Sequence, residues 1–267
     1  MLEWIYIYDA PDAFGLNIVE VGRILAELLP ETQVETRTDF FTWQLGQFEL
    51  PQVEMLTDEI AARLEEREVH NLVHPDLRAD TEPITPEERD LGAVYLAKPL
   101  QEVMRPLVPQ AERGAERLHL AFITQSMGEF RPGEALFRLR IVQHGEPAII
   151  STTGFFEALE LPREYTFRRA QLIGFGMDEA AEELDEQFAS QALRYGDEEI
   201  TRVATGYALQ AVFYRLFGEE GCARPTCPLH QVRTHDELFE AHLSPESKLC
   251  ERHARMLAEG GRGPAGR

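Results

Sequence analysis

Apolar residues recur along this chain with two alternating periods, and the alternation is clearest at its start. Residues 3–8 (EWIYIY) are strand-forming and end at Asp9-Ala10-Pro11. Ile18, Val21, Ile24, Leu25 and Leu28 then fall at helical spacing within residues 16–29, and Pro30 stops the run. Residues 33–38 alternate again, so strand, helix and strand predict a βαβ opening. Phe40, Phe41 and Trp43 form an aromatic cluster expected in the core. Residues 51–67 predict a second helix, with Met55, Ile60, Ala61 and Leu64 on its apolar face. Residues 75–90 (PDLRADTEPITPEERD) are polar and proline-rich, a surface loop. Within them Thr85-Pro86-Glu87 can start a helix through Leu100, with a further turn to Leu107 and interruptions at Pro99 and Pro106.

The middle of the chain reads as β. Residues 118–124 (LHLAFIT), 136–142 (LFRLRIV) and 148–152 (AIIST) are strand candidates joined by the short turns RPGE and HGEP, which predicts a meander or hairpin set ending at Gly154. Arg138 and Arg140 mark the second of these as half-exposed. Residues 163–200 are helical and acidic, with Asp178, Glu179, Glu182, Glu183 and Glu186 beside Phe188 and Leu193, as on a solvated helix face. Residues 201–217 carry Val203, Tyr207, Leu209, Val212, Phe213 and Leu216 on more than one face, so this helix is expected to be buried, with Gly218 as a left-handed C-cap. The fold class is α/β (α+β).

Charge narrows the partners. The formal net charge of the 267 residues is −21, the opposite of the basic face that phosphate contacts need, so no nucleic-acid partner is expected. Lysine occurs only as Lys98 and Lys248. The first residues, MLEWIYIYDAPDAFG, lack a basic n-region and an apolar core, and no window approaches ~18 apolar residues. No signal peptide and no membrane span are expected, and the cytoplasm is the expected compartment.

Candidate chemistry is scattered except in one place. His70 and His74 stand four apart, a spacing that on a helix can share a metal, but Pro75 follows at once and no acid lies between them. Ser126, Ser151 and His144 lack a G-x-S-x-G elbow, so no serine nucleophile is expected. The three cysteines cannot all pair, and two stand as Cys222-x4-Cys227, followed by Cys250-x2-His253. Thiolates and imidazole are the donors zinc favours, and a closed set of four protein ligands makes a structural site with no position left for water. His230 adds a fifth candidate, because Cys227-x2-His230 mirrors Cys250-x2-His253. Metal-free thiols packed as small hydrophobes are the alternative.

The stretch G-C-x4-C-P-L-H, a spacer and L-C-x2-H, within residues 207–253, resembles the C-terminal end of archaemetzincins, a branch of the metzincin zinc metallopeptidases. The resemblance implies a metzincin-like fold: a twisted mixed sheet over a core of residues 1–217, a zinc-clipped subdomain at 218–258 and a disordered tail at 259–267. It implies one structural zinc held by Cys222, Cys227, Cys250 and His253, with Leu229 where the family has a methionine. It also places the family's H-E-x-x-H-x-x-G-x-x-H signature on residues 211–221 (AVFYRLFGEEG). Gly218 matches; Ala211, Val212, Arg215 and Gly221 stand where the zinc histidines and the glutamate would be. The implied protein has no catalytic residues. It keeps the structural zinc and binds a peptide or protein ligand in the former substrate cleft, bordered by the edge strand of the middle sheet. Two other readings remain: a hydrolase with a relocated site built from Glu219, Glu220, Arg215, His235 or His242, and a zinc-stabilised interaction protein unrelated to peptidases.

Overall fold

The computed structural model describes residues 2–65, 94–130, 137–160, 162–189, 193 and 196–260. His70, His74, the 75–90 loop, the Thr85 helix start, the RPGE turn and residues 261–267 lie outside the described residues, as do the side chains of Ala61, Leu64 and Phe188.

The βαβ opening is present. Strand β1 (Trp4–Tyr8) leads to helix α1 (Ile18–Leu28), and β2 (Gln33–Arg37) returns parallel to β1 in the register Trp4 with Gln33 through Tyr8 with Arg37. Asn17 caps α1 by accepting from the Glu20 N–H, and Val21 and Leu25 are buried on the sheet side. Short α2 (Phe40–Leu45) starts at Asp39, whose carboxylate accepts from the Thr42 N–H. It buries Phe40 with Phe41 and Trp43 packed around it, as the aromatic cluster predicts. Helix α3 (Leu50–Glu65) follows, but Met55, expected on its apolar face, is 62% exposed. Ile60, on the same face, packs on the core.

The middle of the chain departs from a single meander. Tyr95 and Leu96 form β3, which pairs with β5 (Met127–Phe130), and β6 (Phe137–Arg140) completes a separate sheet in the order β3-β5-β6. Helix α4 (Ala97–Met104) continues as a 3₁₀ turn through Leu107, and Pro99 sits in its first turn, where a missing N–H costs nothing. Strand β4 (Arg117–Ile123), β7 (Val142–Gln143) and β8 (Ala148–Ser151) instead join the opening strands in the order β2-β1-β4-β8-β7. β4 runs parallel to both β1 and β8, and only the edge strand β7 is antiparallel. The reason is written in β4: Leu118, Leu120 and Phe122 face one apolar core while Ala121 and Ile123 face another, which suits a central strand covered on both sides. The expected strand 136–142 breaks at Ile141, where the chain passes from one sheet to the other.

Gly154 opens helix α5 (Gly154–Glu157), and the acidic region forms the hairpin α6 (Arg163–Gly174) and α7 (Asp178–Ala189). Helix α8 (Ile200–Phe217) is buried without interruption from Val203 to Phe213 and packs with α1 on one face of the larger sheet. Gly218 ends it at φ 68°, the left-handed conformation expected of that glycine, with its N–H on the Tyr214 carbonyl. A short helix α9 (His235–Leu238) runs into a π-helical turn at Phe239–Leu243, and α10 (Glu251–Gly260) closes the described chain. Among the described residues no helix is long and apolar enough to cross a membrane.

Candidate metal centre

The end of α8 sets the position of the first ligand candidates. After Gly218 the chain turns back, and the Cys222 N–H donates to the Leu229 carbonyl at 2.7 Å. Between them the Cys227 N–H donates to Arg224 O at 3.1 Å and the His230 N–H to Cys227 O at 2.7 Å, a tight turn that folds Cys227 under Cys222. The second pair comes from the start of α10. Cys250 immediately precedes this helix and His253 lies on its buried side, the i, i+3 spacing that puts two side chains on one face. A backbone bond from the Lys248 N–H to Thr226 O at 3.3 Å ties the two halves together.

These elements bring one ligand atom from each of Cys222, Cys227, Cys250 and His253 within 4.8 Å of one another. Cys222 Sγ is 3.9 Å from Cys250 Sγ, and His253 Nδ1 is 3.6 Å from Cys227 Sγ and 3.1 Å from Cys250 Sγ. A tetrahedral zinc with ordinary bond lengths separates two sulfurs by ~3.8 Å and a sulfur from a nitrogen by ~3.6 Å. Two of the three separations match, and the third needs His253 and Cys250 to part by about half an ångström. The group as a whole spans up to 4.8 Å, so it would tighten around an ion, and the four residues could then hold a four-coordinate zinc with no open position.

His230, the fifth candidate, is turned away from the group. Its Nδ1 bonds the Cys222 carbonyl at 2.9 Å, and its backbone bridges to Cys222 in parallel fashion. It props the loop that presents Cys222.

Electrostatics in the cluster favour a cation. Burial pushes the Cys227 thiol up to about 11, which makes a lone thiolate there costly and a metal-paired one favourable. Burial also opposes ionisation of Cys250, but backbone N–H groups of His253 and Arg252 at the start of α10 carry its pKa below the ordinary thiol value. Burial lowers His253 as well, so its imidazole stays neutral and able to ligate. Its ring meets Phe213 of α8 edge-on at 5.3 Å, which locks its orientation.

The positions aligned with the catalytic signature are filled differently. Ala211 and Val212 are buried in the apolar core. Arg215 lays its guanidinium on the sheet: Nε donates to Arg117 O at 3.2 Å, Nη2 donates to Gly114 O, and Glu146 Oε2 lies 3.7 Å away. Tyr214 beside it stacks on His144 at 4.7 Å. His144 and Glu146 belong to the turn between β7 and β8, so the edge-strand region rests directly on the end of α8. At Gly221 an added Cβ would meet Gln231 Cγ at 2.6 Å. Spacing in the sequence carries no signal of these contacts, since they join residues up to 101 positions apart.

Glu219, Arg215 and His242, part of the material for a relocated site, are engaged in other contacts. Glu219 pairs with Arg252. His242 is buried against Gly206, where an added Cβ would lie 2.0 Å from its Nδ1, and its ring lies 4.9 Å from Tyr207. Ser126 donates to Glu157 at 2.7 Å and Ser151 to Gln125 O at 2.8 Å, so neither serine is set against His144. Among the described residues, the cysteine–histidine group is the one cluster of three or more such side chains able to hold a metal.

The fold is mixed α/β, and at the end of its buried helix α8 it carries a three-cysteine, one-histidine cluster that could hold a metal ion. Comparison with known families makes this specific: the chain belongs to the probable metallopeptidase family DUF6775, whose model matches residues 1–260. No curated protein matches the chain. Among solved structures it is similar to archaemetzincin from Methanopyrus kandleri, at 13% identity and a TM-score of 0.46, over 97% of this chain and 94% of that one.

Proposed function

We propose that this protein is a catalytically inactive member of its metallopeptidase family that holds one structural zinc on Cys222, Cys227, Cys250 and His253 and acts as a binding or regulatory module. Arg215 carries the reading. Metzincin hydrolysis needs three imidazoles around a zinc with an open position and a glutamate to take the water's proton. Here the segment that would supply them offers a methyl, an isopropyl and a bare glycine, and its one charged group is a cation committed to Arg117 O, Gly114 O and Glu146. A cation at that point repels a metal. The peptide or protein ligand would lie along the edge strand β7, where the turn at His144–Glu146 meets α8.

The test is zinc-loaded protein incubated with a mixed peptide library, with and without a zinc chelator. The reading expects no cleavage in either arm. Cleavage that the chelator abolishes would overturn it and leave the relocated hydrolase site in its place.

A further inference from the structure

The four atoms of the metal group are not equally placed. Cys227 is fully buried, whereas Cys222 and Cys250 are half-buried and their sulfurs are 3.9 Å apart. Both sit in non-helical backbone, Cys222 in the loop after α8 and Cys250 one residue before α10. Closing that gap to a disulfide bond of ~2.05 Å therefore requires loop movement of under ~2 Å and no displacement of a helix.

We propose that Cys222 and Cys250 are a peroxide-sensitive modification site, at which oxidation forms a Cys222–Cys250 disulfide and expels the metal. The inference rests on the zinc reading of the cluster. In the chemical step one of the two half-buried thiolates attacks hydrogen peroxide, breaking the O–O bond to give a sulfenic acid and hydroxide. The other thiolate attacks that sulfur, forming the S–S bond and releasing a second hydroxide. Two electrons pass from the sulfur pair to peroxide, and with two protons from solvent the products are the disulfide and two waters. Zinc keeps only Cys227 and His253, too few donors to hold it. Cys227 escapes oxidation because it is fully buried in the apolar core, out of reach of peroxide.

The new bond joins the same two segments that the metal joined. Oxidation therefore empties the site while the loop after α8 stays tied to α10, whereas chelation empties it and leaves that tie open. The oxidised protein should keep its helical signal and its thermal transition better than chelated protein does.

The experiment uses zinc-loaded, full-length protein titrated with hydrogen peroxide. Zinc release is read with a chromophoric chelator, and linkage by intact mass and by peptide mapping without reduction. The expected result is one zinc released per disulfide, a linked pair of peptides containing Cys222 and Cys250, and a Cys227 alkylated only after denaturation. Dithiothreitol followed by zinc should restore the starting state. A disulfide that includes Cys227, a sulfinic acid without any disulfide, or zinc retained under excess peroxide would each overturn the proposal. Protein that takes up no zinc at all would instead overturn the metal reading on which it stands.

Discussion

Replacing Arg215 by methionine keeps the apolar stem and removes the guanidinium, which tests whether a position aligned with a catalytic ligand has become a structural tie. The side chain gives up two bonds to backbone carbonyls, on Arg117 and Gly114, and one ion pair with Glu146 at 3.7 Å. A hydrogen bond to a charged group contributes about 1.5–3 kcal/mol when buried. Arg215 is 23% exposed, so water recovers part of each bond, and the net loss should be about 2–3 kcal/mol in urea unfolding with an unchanged denaturant slope. A double-mutant cycle with Glu146→Gln should return a coupling of about 0.5–1 kcal/mol, as expected of a partly screened pair. Zinc content should stay at one per chain in every variant, because none of the four donors is touched. Arg215→His should bind no second zinc either, since Ala211 and Gly221 supply no further donors. A stability loss below about 0.5 kcal/mol, or a second metal in the histidine variant, would refute the reasoning.

Two further outcomes follow from the buried face of α8. His242 is held down to about 3 from the ordinary 6.5, first by burial and then by nearby His230, and neither ring nitrogen has a hydrogen-bond partner. The unfolded chain then binds a proton that the native state does not, so stability is lost as pH falls from about 6.5 toward about 3. At pH 5 the penalty from this residue is about 2 kcal/mol. His242→Leu should therefore gain about that much on wild type between pH 7.5 and pH 5, measured as the difference between their urea midpoints; parallel profiles would contradict the assignment. Gly206→Ala should cost about 1–3 kcal/mol because its methyl would meet His242 Nδ1 at 2.0 Å, and His242→Ala should rescue it. An equal loss in both backgrounds would place the strain elsewhere.

How much of this was legible depended on whether the deciding contact was local. The strand-forming run of β1, the stop at Pro30 and the Gly218 C-cap are each specified within a few residues, and the structure has all of them. The middle strands were recognisable as strands, but their partners were not. Pairing β4 with β1 is a choice among distant segments, and its apolar residues on both faces were the available hint of a central position. Met55 illustrates the converse: helical spacing put it on an apolar face, yet the surface that α3 presents to the core runs through Ile60. In the metal group, spacing narrowed the donors to five, and only the turn at residues 224–230 sets His230 on a carbonyl and leaves the other four together. The departures from the metzincin signature at Ala211, Arg215 and Gly221 were visible in the sequence. What fills the space, an arginine bound to the carbonyls of Gly114 and Arg117 about a hundred residues away, was not.

The central claim is that one metal site persists and the other is gone. Diffraction data collected on either side of the zinc absorption edge, from crystals of protein grown with zinc present, test it most directly. The account predicts one anomalous peak per chain, at bonding distance from Cys222 Sγ, Cys227 Sγ, Cys250 Sγ and His253 Nδ1. A second peak beside Arg215, or a single peak that lies anywhere but among those four atoms, would contradict it.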